Sequence, residues 1–222
     1  MISAINDKNF FCSWSGGKDS CLALYCAIQA GGKPNFLLTM LDETGKRSRS
    51  HALPVALLEK QAQTLGIPLI TRSASWADYE KNFIDALHEF SKQGILYGVF
   101  GDIDLEDHLA WCRRVCEYAD IETYHPLWQR ERSDLLNEFI ALGFKATIIS
   151  VKQGTLSTDF LGQTIDTVFL EEIKNQGIDI CGEKGEYHTV VTDGPIFSNA
   201  VPIKTQNQTL IDGYWFLEVV AS

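Results

Sequence analysis

The sequence predicts an α/β protein built on a doubly wound, mostly parallel sheet, with a smaller α+β part at its C-terminal end. Two features predict it. Through the first half, short apolar runs alternate with longer segments of helix formers, and glycine or proline marks most junctions. In the last third, β-rich sequence takes over. Parallel strands joined by crossover helices place a ligand site beyond the carboxyl ends of the strands.

The first run, Asn9 to Trp14, ends in Ser-Gly-Gly, and Cys21 to Ala30 reads as a helix closed by Gly31-Gly32. Phe36 to Leu41 is a second buried strand. Pro54 to Leu65 is a helix with proline near its first turn and Gly66 after its end, and Pro68 to Thr71 is the third strand. Asp78 to Lys92 is the next helix, Ile95 to Phe100 the next strand, and Leu105 to Tyr118 a helix carrying Trp111, Val115 and Tyr118 at core-like spacing. The pattern changes after Tyr124-His125-Pro126. A helix from Ser133 to Leu142, a strand from Ala146 to Val151 and a helix from Asp166 to Gln176 precede the β-rich end. A boundary near Pro126 is expected, with residues 1–126 as the nucleotide-binding part and 127–222 as the substrate part.

Composition narrows the function. At 222 residues and 45% hydrophobic content the chain can bury a core without staples. Cys12, Cys21, Cys26, Cys112, Cys116 and Cys181 show neither a disulfide-framework spacing nor a C-x-x-C pair, so free thiols are expected. The formal net charge of -10, with no dense basic run, opposes broad binding to nucleic acid or anionic lipid. No window approaches the roughly 20 apolar residues that span a bilayer, and Met1 to Lys8 lack a secretion pattern. A cytoplasmic location is the expectation.

The most informative segment is Ser15-Gly16-Gly17-Lys18-Asp19-Ser20, directly after the first strand. Two glycines let the backbone turn tightly and approach an anion, the following helix start supplies N–H groups, and Lys18 adds a point charge. Ser15 and Ser20 add hydroxyl donors. It is not a Walker loop, because Cys12 stands where that motif needs its first glycine and Asp19 where it needs a hydroxyl. A bare G-G-K would be an ordinary strand-to-helix turn, but the six residues together resemble the pyrophosphate loop of the ATP pyrophosphatase superfamily. That resemblance implies the adenine nucleotide alpha hydrolase-like, Rossmann-like fold, ATP and magnesium as cofactors, and adenylation of a carboxylate or carbonyl-type oxygen with release of pyrophosphate.

A second motif, Cys181-Gly182-Glu183-Lys184-Gly185-Glu186-Tyr187-His188-Thr189, is followed by Asp193-Gly194-Pro195-Ile196-Phe197. With the first loop, and with Leu65-Gly66-Ile67-Pro68-Leu69, Pro126-Leu127-Trp128, Leu142-Gly143-Phe144 and Phe160-Leu161-Gly162, it resembles the diphthine-ammonia ligase (diphthamide synthetase) family over nearly the whole chain. Such proteins adenylate the carboxylate of diphthine on translation elongation factor two and let ammonia displace AMP. By residue chemistry, Gly182 and Gly185 permit close backbone approach and Glu183 and Glu186 can hold a cation or an amine. Tyr187 can offer a cation-π face to the trimethylammonium of diphthine, and His188 can move a proton. The plain alternative is a glycine turn into a strand from Tyr187 to Thr192 with solvated glutamates.

Other candidates carry competing readings. In the loop Gly101-Asp102-Ile103-Asp104-Leu105-Glu106-Asp107-His108, Gly101 and Asp102 stand nearest the expected ligand, and Asp102 can hold magnesium. Asp104 as a helix cap, with Glu106 and Asp107 complementing the dipole, explains the same loop without a ligand. Met40 can pack on adenine or simply fill core, and His51 can reach the nucleotide or be a surface histidine. Cys112 and Cys116, one turn apart, read as inert helix surface or core rather than a metal or redox pair, His125 as structural and His88 as solvated.

The expected catalytic residues are Lys18, Glu183, Glu186 and His188. ATP would be held by Ser15 to Ser20, Met40, His51, Gly101 and Asp102, with ammonia and a carboxylate acceptor as co-substrates. Elongation-factor diphthine or a small-molecule carboxylate can fill the acceptor role, and a non-catalytic ATP or AMP sensor stands as a different class. A thiolating transfer-RNA enzyme fits less well, given the acidic charge and missing C-x-x-C. A homodimer is compatible with the sequence and not demanded by it.

Overall fold

The computed structural model describes residues 4–222; Met1 to Ser3, the start of the segment read for a leader, lie outside the described residues. The first nine elements are β1 (Asn9–Ser13), α1 (Lys18–Gln29), β2 (Lys33–Leu41), α2 (Val55–Leu65), β3 (Leu69–Ser73), α3 (Tyr79–Lys92), β4 (Tyr97–Val99), α4 (Glu106–Glu117) and β5 (Glu122–Tyr124). Their strands form one sheet in the order β3-β2-β1-β4-β5. Every pairing is parallel.

The run Phe10-Phe11-Cys12 explains the winding. β1 is the central strand and buries side chains on both faces. Phe10, Cys12 and Trp14 share a core with α1 and α2, while Phe11 packs with Phe83 and Phe90 of α3, Phe100, and Val115 of α4. The chain therefore winds outward from β1 to β3 with helices on one face, then crosses to β4 and β5 with helices on the other. The direction reverses between β1 and β4. Loops leaving their carboxyl ends diverge there and leave a crevice.

The remaining elements are α5 (Arg132–Ala141), β6 (Lys145–Lys152), α6 (Thr167–Asn175), β7 (Tyr187–Asp193), β8 (Ile203–Ile211) and β9 (Tyr214–Ala221). Their strands form an antiparallel sheet in the order β7-β6-β9-β8. This sheet packs against α1 and α2, so one apolar core runs from β1 through both helices to β6 and β7.

Two details depart from the sequence reading. Glu122–Tyr124 is a short fifth strand, too brief to announce itself by periodicity, and it pairs with β4 from Tyr97 to Val99. Asp104 does not cap α4; the cap position is Leu105, with no side-chain cap bond, and Asp104 instead accepts two hydrogen bonds from Arg132, at 2.9 and 2.7 Å. A bidentate guanidinium partner outcompetes a single backbone N–H.

Gln61 of α2, fully buried, ties the two sheets at the end of β1. Its Nε2 donates to the carbonyls of Gly16 at 3.0 Å and Val191 at 2.7 Å, and its Oε1 accepts from Trp14 Nε1 at 3.1 Å. The Val191 N–H also donates to the Gly16 carbonyl at 2.9 Å. Gln61→Leu keeps the volume and strips partners from buried polar groups, so it should cost about 3 kcal/mol. For a chain of this size that is a fall in Tm of about 10 °C. Thermal unfolding of the two proteins checks this; a shift below about 2 °C would contradict the role given to the amide.

Candidate active site

A cleft of about 790 Å³ opens at the carboxyl ends of β1, β2 and β4, where the winding reverses. Ser15, Lys18, Asp19 and Ser20 line its floor. Met40 and His51 line it from the β2 side, and Gly101 and Asp102 from the β4 side. Glu183 and His188 close it from the C-terminal part. Gly16, Gly17 and Glu186 stand behind this surface.

Local geometry at the end of β1 needs its glycines. Gly16 adopts φ +80, a region other residues rarely enter. A Cβ on Gly17 would sit 2.6 Å from His51 Nε2 and 3.2 Å from the Thr189 carbonyl. On the facing loop, a Cβ on Gly101 would lie 2.9 Å from the backbone of Asp19 and Ser20. The loop is thus pressed from three sides. Gly17 N–H donates to Ser15 Oγ at 3.2 Å, the Ser15 and Ser20 hydroxyls meet at 3.0 Å, and Lys18 N–H donates to Thr189 Oγ1 at 3.1 Å. The next amides, Asp19 and Ser20, lie in the first turn of α1, whose N–H groups have no acceptor within the helix. An anion placed there meets the positive end of the helix dipole.

Lys18 is charged although its side chain is only 6% exposed. Burial pulls its pKa down, but Asp19, whose carboxylate oxygens sit 2.9 and 2.8 Å from Nζ, outweighs this and holds the ammonium above its ordinary value. Nζ also donates to the Cys181 carbonyl and lies 5.4 Å from the centre of the Tyr187 ring. The cation over Tyr187 is therefore the chain's own lysine, not the substrate ammonium the sequence suggested. Tyr187 is buried, and its hydroxyl donates to the Ile180 carbonyl at 2.6 Å.

The turn before β7 is built by Asp179. Its carboxylate accepts the N–H groups of Cys181 at 3.2 Å and Glu183 at 2.8 Å, and Arg132 grips the same carboxylate at 2.6 Å while also holding Asp104. Arg132 therefore fixes the turn against the loop after β4. Glu186 is buried and accepts the Lys184 N–H at 3.0 Å, which makes it a support of the turn rather than part of the cleft wall. Glu183 faces the cleft. Burial, then the charge of Asp19, pushes its pKa up to about 7, against the pull of Lys18 and Arg132. His188 and His51 are in contact, with ring centres 4.6 Å apart and planes tilted by 51°. Burial, with Lys18 nearby, lowers His188 to about 4; burial, His188 and Lys18 lower His51 well below its usual value.

Asp102 sits between imidazoles, with His108 Nδ1 at 3.4 Å and His125 Nδ1 at 3.5 Å, and it accepts a bond from the Cys112 thiol at 3.5 Å. Burial opposes its charge, but the two neighbouring imidazoles win and hold it well below the usual carboxylate range. Glu106 and Asp107 are exposed, as is His88. Cys112 and Cys116 are buried and their thiols are raised by burial. Met40 is buried in the core with residues of α3 and also lines the cleft. Among the described residues no cluster of three or more His, Cys, Asp or Glu forms a metal cage, and no helix is long and apolar enough to cross a membrane.

Family models match both halves of this architecture. One described as the diphthamide synthase N-terminal domain covers residues 9–123, and one described as the diphthamide synthase C-terminal domain covers residues 131–220. The chain belongs to the diphthamide synthase family. Curated relatives of this family include the Mus musculus protein named diphthine–ammonia ligase, 28% identical over 222 residues, an alignment spanning 88% of this chain and 83% of the relative. The Homo sapiens protein of that name is 28% identical over 220 residues, spanning 84% and 79%. In the Schizosaccharomyces pombe protein of that name, 24% identical over 209 residues, the match spans 84% of this chain and 34% of the relative.

Sequence reasoning did not single out several residues that shape this family member's cleft. Gln61, Asp179 and Arg132 act through bonds between segments far apart in the chain, which no local pattern signals. Arg49, Trp76 and Tyr79 form the outer wall. They come from loops or the start of a helix, with no motif spacing to mark them.

The histidine pair predicts a pH effect. A base whose folded pKa lies below its unfolded value of about 6.5 contributes stability that is complete above that value and lost as pH falls through the folded value. For His188 that window runs from about 6.5 down to about 4. Glu183 acts oppositely over a similar window, because its folded pKa of about 7 is raised; its contribution is lost as pH rises through about 7. His188→Gln removes one titration and leaves the other. Its Tm relative to wild type should therefore rise between pH 7 and pH 4, and a constant difference across that range would contradict the pairing.

Proposed function

We propose that this chain is an ATP-dependent ligase that forms a carbon–nitrogen bond in diphthamide synthesis. It adenylates the carboxylate of diphthine on an elongation factor, releasing pyrophosphate, and then lets ammonia displace AMP to leave the amide. The supporting observation is the meeting of Lys18, the α1 N-terminus, Glu183 and His188 in one cleft, from segments more than 160 residues apart. The shared name of the curated relatives supports the acceptor.

Each step maps onto residues of this chain. The acceptor carboxylate attacks the α-phosphorus, and the bond to the β-phosphate oxygen breaks. Negative charge gathers on the leaving diphosphate, where Lys18, the first amides of α1 and the hydroxyls of Ser15 and Ser20 can receive it. Ammonia then attacks the acyl carbon, the bond to AMP breaks, and the nitrogen must lose a proton. Glu183, with a pKa of about 7, is matched to accept it at neutral pH. His188, lowered to about 4, is better suited to hold a group as a neutral imidazole. Glu186 supports this arrangement through the Lys184 N–H. The boundary near Pro126 would then divide the part that carries the phosphate loop from the part that carries Glu183, Glu186 and His188.

Magnesium fits as a companion of the phosphates rather than as a resident of a protein cage. That ion keeps much of its water and needs only one or two carboxylates beyond the phosphates. Asp19 and Asp102 are the cleft carboxylates positioned to supply them, although Asp19 already pairs with Lys18 and Asp102 with two imidazoles and a thiol. When bound, the ion would neutralise charge on the nucleotide phosphates.

Removing Lys18 takes away the one ammonium on the cleft floor. Lys18→Ala should cost about 3 kcal/mol or more of barrier, a fall of at least about a hundredfold in acceptor-dependent AMP formation. The assay uses radiolabelled ATP, ammonium and a diphthine-bearing elongation factor. Equal rates for the two proteins would contradict the proposal, and absence of AMP from wild type would favour a nucleotide sensor.

A further inference from the structure

The outer wall of the cleft holds two side chains that the phosphate chemistry does not use. Among the described residues lining the cleft, only Lys18 and Arg49 are lysine or arginine. Arg49 follows β2, and its backbone N–H donates to the Met40 carbonyl at 3.0 Å. Its side chain is 10% exposed. Nη2 donates to the Ala74 carbonyl and to the exposed Glu43 carboxylate at 3.3 Å, but Nε is buried with no acceptor. A buried charged donor without an acceptor is costly, and the surrounding cleft is where one can arrive.

Trp76 lies against this guanidinium, 4.5 Å from its carbon to the ring centre, and is 74% exposed. One face is covered by Arg49 and the ring continues into a line of aromatics, with Tyr79 at 5.8 Å and Trp111 a further 5.8 Å on. The far end is pinned, since Trp111 Nε1 donates to Glu80 at 3.0 Å and Glu80 is held at 2.6 and 2.8 Å by Arg114. A large exposed indole on a braced aromatic wall, next to a buried guanidinium lacking an acceptor, has the makings of a subsite for a planar anion carried on a larger body.

We propose that Arg49 and Trp76 form the acceptor subsite of the cleft, the Arg49 guanidinium donating to the acceptor carboxylate and Trp76 stacking on the group that carries it. The inference rests on the ligase reading. Two anions must be held at once during adenylation, the polyphosphate and the carboxylate, and two cations line the cleft. Lys18 stands at the phosphate loop, which leaves Arg49 for the carboxylate. The Glu43 contact is long and mostly solvent-facing, so it offers little resistance to displacement. Aromatic stacking suits a flat or cationic acceptor side chain and also lets the bulk of a macromolecular acceptor remain outside the mouth.

A nucleotide phosphate could satisfy the same guanidinium, so the test separates the two ligands. Binding of diphthine-bearing elongation factor is measured by calorimetry in the presence of a non-hydrolysable ATP analogue, and binding of the analogue is measured alone. Arg49→Gln and Trp76→Ala should each weaken factor binding about tenfold while leaving the analogue Kd within about twofold. Trp76→Phe should restore most of the loss. Trp76 is exposed, so its variants test the wall even where Arg49→Gln perturbs folding. Unchanged factor binding in the Trp76→Ala protein would overturn the subsite, as would an equal loss of analogue binding. Failure of wild type to bind the factor, with analogue binding intact, would overturn the ligase reading for that acceptor and the subsite with it.

Discussion

Gln61, buried between two sheets, donates its amide to the carbonyls of Gly16 and Val191 while accepting the indole N–H of Trp14. This three-way bond joins the end of β1, helix α2 and strand β7. The loop after β1 has little regular structure of its own, and its glycines give it freedom that would otherwise be spent in disorder. Packing from His51, the Gly101 loop and Thr189 removes that freedom, and the Gln61 amide sets the position from which they act. The N–H groups at the start of α1 therefore face the cleft in a fixed direction. Because two of the three partners are backbone groups, one in the loop after β1 and one in β7, a shift of β7 would carry that loop with it.

The same junction brings charges together that neither half would tolerate alone. Lys18 is pulled into low-dielectric surroundings and stays charged because Asp19 faces it, with the Cys181 carbonyl and Tyr187 ring on its other sides. Glu183 is burdened by the same burial and by Asp19, and it titrates near neutrality. The paired histidines, next to Lys18, remain neutral there. One positive group, one adjustable carboxyl and two neutral imidazoles make a cleft that can stabilise a leaving polyanion and accept a proton in a later step. The separation of these roles comes from environment rather than residue type.

Much of this was legible in the sequence. Long periodic helices and the buried runs of β1, β2 and β6 follow from local pattern, and so does the turn at Gly16-Gly17, where the residue types dictate the geometry. The cleft-lining residues at the two motifs were legible because each motif is contiguous. What escaped depends on contacts across the fold. Glu122–Tyr124 is too short for a periodic signal and becomes a strand through its β4 partner. Asp104 looks like a helix cap until Arg132, 28 positions later, claims it. Tyr187 offers a ring to a cation, but which cation arrives is set by the burial of Lys18. Glu186 and Glu183 look alike in a glycine-rich turn, and only the bonds of Asp179 and Lys184 turn one inward to support and the other toward the cleft.

Whether the turn after β1 receives the diphosphate of ATP can be seen in a crystal structure of the protein with a non-hydrolysable ATP analogue. The terminal phosphates should lie within hydrogen-bond distance of the Asp19 and Ser20 amides, with Lys18 Nζ turned from the Cys181 carbonyl toward phosphate oxygen. An analogue bound elsewhere, with Lys18 still on Cys181 and Asp19, would contradict that placement.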